Sequence, residues 1–174
     1  MSGLDGLSIV SRRRMLKLGL GAGGLLLMGG GGLFALRGSA PHVAGLRILT
    51  GHEYRTLSRL AEVVVPGSLP LDLARAFDHF LADEPPWNIA DLKRALFLIE
   101  FGPIVFDHRL TTFSNLAPDE RLAHFKGWQV ASLELRRVVS NAFRRFLLLV
   151  FYDQPSSWAQ IGYDGPLIRP AEAK

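Results

Sequence analysis

The chain has 174 residues, of which 48% are hydrophobic and 21% charged, which fits one globular domain with a terminal segment and excludes a disordered chain. It has no cysteine, which excludes disulfides, zinc–thiolate sites, iron–sulfur clusters, haem attached through Cys-x-x-Cys-His and a cysteine nucleophile. The net charge of +4 sits in residues 1–40, where Arg12, Arg13, Arg14, Lys17 and Arg37 face only Asp5, while the remainder is balanced, so the charge speaks of targeting and not of a nucleic-acid interface.

The first element is a targeting segment. Residues 11–17 read Ser11-Arg12-Arg13-Arg14-Met15-Leu16-Lys17, and Leu18 to Leu36 are 19 uncharged residues, eight of them glycine. A basic stretch ahead of an apolar one is a signal-sequence pattern. Ser11, Arg12, Arg13, Met15, Leu16 and Lys17 resemble the twin-arginine motif S-R-R-x-F-L-K, with Met15 in the Phe place. That resemblance implies export of a folded protein through the twin-arginine (Tat) translocase to the periplasm. Three fates of the segment are open: a cut after Gly38-Ser39-Ala40, a cut after Val43-Ala44-Gly45, or retention. Nineteen uncharged residues just span a bilayer core of about 30 Å, so a retained segment would anchor the chain in the inner membrane. Gly19-Leu20-Gly21-Ala22-Gly23-Gly24 fits the dinucleotide pattern G-x-G-x-x-G. It follows three arginines instead of a strand, and no acid occurs between Asp5 and Glu53, so it is not read as a nucleotide site.

From residue 47 the periodicity is helical. Thr50-x-x-Glu53 reads as a capping box, with Tyr54, Leu57, Leu60, Ala61 and Val64 on one face and Pro66-Gly67 as the stop. Pro70 opens a second helix with Leu73, Ala74, Phe77, Phe80 and Leu81 inward. Asn88 caps a third, whose apolar residues Ile89, Leu92, Ala95, Leu96, Phe97, Leu98 and Ile99 run so far round that it is expected at the centre. Gly102-Pro103 is read as its end, with a further turn or two from Pro103 to Leu110. Pro118 opens the next helix. The last carries Leu135, Val138, Val139, Ala142, Phe143, Phe146, Leu147 and Val150 inward, with Arg136, Arg137, Asn141, Arg144 and Arg145 mostly on the other face. No run alternates with period two long enough for a strand. The expectation is all-α: a bundle of five or six helices over 47–153, after a signal or anchor helix in 1–40, with an irregular tail over 154–174 as partner contact.

Candidate chemistry is sparse. His42, His52, His79, His108 and His124 form no pair at i+3 or i+4, so they are read as surface or satisfied groups, not metal ligands. No serine lies in a nucleophile turn. The arginines of the last helix could hold phosphate, but neighbouring acids balance them. By elimination the expectation is a chain with no catalytic, cofactor-binding or metal-ligating residue of its own.

Two stretches carry a resemblance. Leu49-Thr50-Gly51-His52-Glu53-Tyr54-Arg55-Thr56-Leu57, continuing as Leu60-Ala61-Glu62-Val63-Val64-Val65-Pro66-Gly67 behind a twin-arginine signal, resembles the small subunit of membrane-bound gluconate 2-dehydrogenase and related sugar or alcohol dehydrogenases, the subunit 3 family. Phe113-Ser114-Asn115-Leu116, Arg121, Trp128, Ser132, Arg137, Phe143, Tyr152 and Trp158-Ala159-Gln160-Ile161-Gly162-Tyr163-Asp164-Gly165-Pro166 form the second. Their spacing is similar to the helical segment ahead of the flavin domain in long-chain alcohol oxidases of the glucose–methanol–choline superfamily. Ala117 stands where a capping Ser is expected.

The resemblance implies a non-catalytic small subunit. It would supply the export signal to a large subunit that carries FAD and the catalytic histidine, with electrons leaving through a cytochrome subunit or another acceptor. Trp158, Ile161, Gly162 and Tyr163, with Arg137 and Arg144 nearby, are the expected contact with that large subunit. A different class is a membrane-anchored periplasmic helical protein that binds an unrelated partner or a lipid.

Overall fold

The computed structural model describes residues 35–66, 71–159 and 162–165. The targeting residues Ser11 to Lys17, the glycine-rich pattern at 19–24, Pro70 and Ile161 lie outside the described residues. Six α-helices and one 3-10 turn make up the fold, with no strand among the described residues, so the all-α class is as the sequence indicates.

Helix α1 is Gly51–Val64. Its capping box forms as the sequence requires: Thr50 Oγ1 accepts from the Glu53 N–H (3.3 Å), and Glu53 Oε2 accepts from the Thr50 N–H (2.7 Å). Leu57, Leu60 and Ala61 are buried on one face, joined by Thr56, while Tyr54 and Val64 are half-buried. Helix α2 is Leu73–Leu81, capped by Asp72, whose carboxylate accepts from the Arg75 N–H (3.0 Å). It buries Leu73, Ala74, Phe77 and Leu81 as the periodicity predicts.

Helix α3 corrects three expectations. It is one continuous helix, Pro86–Asp107, with Pro103 inside it. It begins two residues before Asn88, because Pro86 supplies a ready-made first-turn φ. Asn88 instead donates its side-chain amide to Glu84 (2.8 Å). Proline at 103 removes one backbone N–H, yet the helix runs on to His108, whose left-handed φ of 53° ends it. The N–H of Arg109 then closes on the Pro103 carbonyl (3.0 Å). Nor is α3 the central helix. That position belongs to α1, which packs against α2, α3, the 3-10 turn and the next two helices. Burial on α3 is concentrated in its second half, at Leu96 and Ile99 to Pro103.

A 3-10 turn, Phe113–Asn115, leads to α4, Pro118–Gln129, which starts at Pro118 as expected. Ala117 has no side-chain acceptor, so only half a capping box forms: Glu120 accepts from the Ala117 N–H (3.1 Å). Helix α5 is Glu134–Asp153 and buries Val139, Phe143, Leu147 and Val150. It crosses α2, where Phe77, Phe80 and Phe146 meet with ring centroids 6.0–6.2 Å apart. The segment read as an irregular tail opens with a single helical turn, α6, Pro155–Trp158.

The residues just ahead of α1 are tied to α2. Asp78 of α2 is wholly buried and accepts three backbone N–H groups, from Arg47 (2.6 Å), Ile48 (2.9 Å) and Leu49 (2.7 Å). Burial alone would raise the Asp78 pKa, but the three donors outweigh it and hold the carboxyl below its ordinary value. A lowered carboxyl pKa stabilises the fold fully above the ordinary aspartate value near ~3.9. That contribution is lost as pH falls through the depressed native value. Asp78→Ala is expected to cost about 3 kcal/mol, since unpaired buried donors cost about 1–3 kcal/mol each. Urea midpoints measured from neutral to acid pH should show that loss and a flatter acid limb.

Candidate functional site

The residues expected at a partner contact fall in two places. Trp158, at the end of α6, donates its indole N–H to the Tyr152 carbonyl (2.7 Å) and meets the Tyr163 ring edge-on at 5.3 Å. The Tyr163 N–H returns to the Trp158 carbonyl (3.0 Å), and Gly162 turns the chain between them with φ of 66°. Gly165 passes so close that a Cβ would lie 3.1 Å from the Trp158 ring. The tail is therefore a small aromatic hook on the end of α5. Its outer rings stay in solvent: Tyr152 and Tyr163 are each 46% exposed.

Arg137 is not beside this hook. It is 16 residues before the end of α5, about 24 Å along the helix axis at 1.5 Å per residue. Its guanidinium donates to the Ala131 carbonyl and to the Ser132 carbonyl (2.9 Å), tying down the loop after α4. Arg144 is exposed on the middle of α5. Arg136, placed by periodicity opposite the apolar stripe, packs on aromatic rings instead. It lies over the Phe106 ring at 4.7 Å and the Trp128 ring at 5.4 Å, as cation–π contacts.

The sequence reading missed a buried histidine relay. His124 of α4 lies between Asp107, the last residue of α3, and Trp128, one turn further along α4. The indole N–H of Trp128 donates to His124 Nε2 (2.9 Å). The proton is thereby placed on Nδ1, which donates to Asp107 Oδ2 (2.5 Å). Both ring nitrogens are engaged, so the neutral imidazole has no free lone pair for a metal or for proton abstraction. The His–Trp spacing of four on a helix was the available signal, because i and i+4 share a face. Gly102 makes the approach possible: a Cβ there would lie 2.7 Å from the Trp128 ring and 2.8 Å from His124 Nε2. An open cleft of about 300 Å³ adjoins the relay, with Asp107, Arg109, Glu120 and Arg136 on its walls. Its charges are largely paired internally, Arg109 with Glu120 at 2.7 Å.

A second polar centre surrounds Glu100, whose surface is 1% exposed. The Thr56 hydroxyl donates to Oε2 (2.9 Å), as does the Ser114 N–H (3.1 Å), and the Ser114 hydroxyl donates to Oε1 (2.8 Å). Arg37 supplies a cation, its Nε 3.9 Å from Oε1. No group of three or more His, Asp or Glu side chains suited to a metal occurs among the described residues. No described helix is long and apolar enough to cross a membrane. No family model, curated protein or solved structure matches this chain.

Burial holds the His124 pKa below its ordinary value, with the Asp107 hydrogen bond opposing and Arg136 and Arg109 assisting. The folded state therefore resists protonation more than the unfolded chain does. Stability is complete above about pH 6.5, the ordinary histidine value, and falls as pH drops below it. His124→Gln is expected to reduce that acid slope in the melting temperature between pH 8 and pH 5. It should not abolish it, because burial, Arg37 and Arg55 also lower the His52 pKa.

Proposed function

We propose that this chain is the non-catalytic small subunit of a periplasmic FAD-dependent sugar or alcohol oxidoreductase. It supplies the twin-arginine export signal and stabilises the catalytic flavoprotein subunit. The observation that carries the reading is Ser11-Arg12-Arg13-Arg14-Met15-Leu16-Lys17 ahead of 19 uncharged residues. The resemblance of residues 49–67 and 113–166 to the subunit 3 family and to the helical segment of long-chain alcohol oxidases supplies the partner class. The flavin belongs to the partner, a cytochrome subunit or another acceptor takes its electrons, and the N-terminal segment meets the Tat translocase and the inner membrane.

The test is purification of a C-terminally tagged chain from its native host. Co-purification of a stoichiometric yellow FAD protein with sugar or alcohol dehydrogenase activity is the expected outcome. A chain that brings down no flavoprotein sinks the reading. Changing Arg12 and Arg13 together to lysine should leave both proteins in the cytoplasmic fraction, as read by immunoblot and activity. Continued export through the general secretory route contradicts the targeting claim.

The aromatic hook is the proposed contact with the flavoprotein. Exposed tyrosines at the end of α5 and in the turn that follows are suited to anchoring an interface, where one such ring contributes about 2 kcal/mol or more, roughly 30-fold in affinity. Replacing Trp158 and Tyr163 by alanine is expected to preserve helicity and melting temperature while releasing the flavoprotein on affinity purification. Loss of fold with unchanged binding per folded molecule would assign both rings to the domain itself.

A further inference from the structure

Residues 36–49 form no helix or strand, yet they are bonded to the bundle along their length. Asn115 donates its side-chain amide to the Leu36 carbonyl (2.9 Å), and Arg55 donates to the Arg37 carbonyl. Arg75 donates to the Ala44 carbonyl (2.8 Å), and Asp78 takes the three N–H groups of 47–49. Between these points the Pro41 carbonyl sits on the first turn of α1. A Cβ at residue 51 would lie 2.1 Å from that oxygen, so only glycine fits beneath it. The Arg37 side chain turns inward, 12% exposed, with its guanidinium 5.4 Å from the Phe101 ring centroid and beside Glu100.

We propose that residues 36–49 are a permanent strap of the folded domain, locked by Arg37 over the buried Glu100, so that the N-terminal segment is retained after export and not removed at Ala40 or Gly45. The part concerning export rests on the twin-arginine reading above. A cut after Ala40 would release Leu36 and Arg37 and leave Glu100 facing its hydrogen-bond donors without the cation. An uncompensated charge at that depth is strongly destabilising. A cut after Gly45 would remove Pro41 from Gly51 and Ala44 from Arg75 as well. Gly38, Ser39 and Ala40 are exposed, so cover does not protect them. What resists is their shape: Gly38 has φ of 70° and its N–H bonds to the Ala35 carbonyl (3.1 Å). A peptidase that needs an extended substrate has to unfasten the strap on both sides. A twin-arginine substrate crosses already folded, so the strap is docked before any periplasmic peptidase meets it.

The experiment uses the tagged full-length chain in a host with the twin-arginine route. Intact mass of the detergent-extracted membrane fraction is expected to be that of the uncut chain; an N-terminus at Pro41 or Leu46 overturns the proposal. In the same detergent, Arg37→Met should lower the melting temperature by several degrees. Adding Glu100→Gln to that variant should restore part of the loss, because the neutral amide needs no counter-charge. A melting temperature unaffected by Arg37→Met overturns the lock. An uncut chain confined to the cytoplasm counts against the export reading alone, and the melting comparison then decides the strap.

Discussion

A carboxyl group with 1% of its surface exposed has to be given partners, and the packing around Glu100 follows from that requirement. Glu100 sits on α3. Its hydroxyl donors come from Thr56 on α1 and Ser114 on the 3-10 turn, and its cation comes from Arg37 ahead of the first helix. Two segments far apart in sequence are thus fixed to one side of α3 by directional hydrogen bonds, and a third by an ion pair at 3.9 Å. Apolar contact alone would leave their registers free to slide. Thr112 and Phe113, both wholly buried, follow because the turn that carries Ser114 is drawn inward.

The opposite side of the same helix is held by a different device. Glu100 and Gly102 are two residues apart, about 200° around the helix at 3.6 residues per turn, and so face away from each other. Gly102 receives His124 and Trp128 of α4, while Glu100 receives α1 and the 3-10 turn. Residues 99–103 are therefore buried on every side. This explains how Pro103 is accommodated. A proline inside a helix loses one backbone bond and usually kinks or ends it, at a cost of about 3 kcal/mol. Here the turns on either side are clamped by polar bonds in front and aromatic packing behind, and the helix continues to Asp107. That continuation brings Asp107 to His124.

These relations decide what could be read from sequence. Local signals were legible: the Thr50–Glu53 box, Pro118 at a first turn, the three-and-four spacing from Leu135 to Val150. Each depends on residues within one or two turns of one another. Gly102-Pro103 has the local chemistry of a stop, while the contacts that override it come from residues 14 or more positions from those they clamp, Ser114 on Glu100 and His124 and Trp128 on Gly102. Asp78, Glu100 and His124 were overlooked as core members because acids and histidines are by default exposed. Asp78 and Glu100 are buried by partners that no spacing rule connects to them, such as the N–H groups of 47–49, whereas only the Trp128 partner of His124 lies at a helical spacing. Helical position puts Arg136 on the face opposite the apolar stripe, but a guanidinium can cover aromatic faces as well as seek water. The aromatic hook was partly visible in its composition. The Trp158 bond to Tyr152 that shapes it was not.

The two most deeply buried acids, Asp78 and Glu100, share one property: each has a partner in the segment before α1. A segment that satisfies the interior of a domain packs as part of it, and among the described residues that holds from Leu36 onward. Leu36 is also the last of the 19 uncharged residues that follow Lys17. No slack linker separates the apolar stretch from the bundle, since the Leu36 carbonyl is already bonded to Asn115. On the proposal that the N-terminal segment is retained, it stays joined to the domain through Leu36 and the strap. The aromatic hook emerges at the far end of the chain from that tether, at the end of α5. The strap and the hook are thereby joined through one set of packed helices, from Arg37 and Glu100 on α3 through α1 to α5.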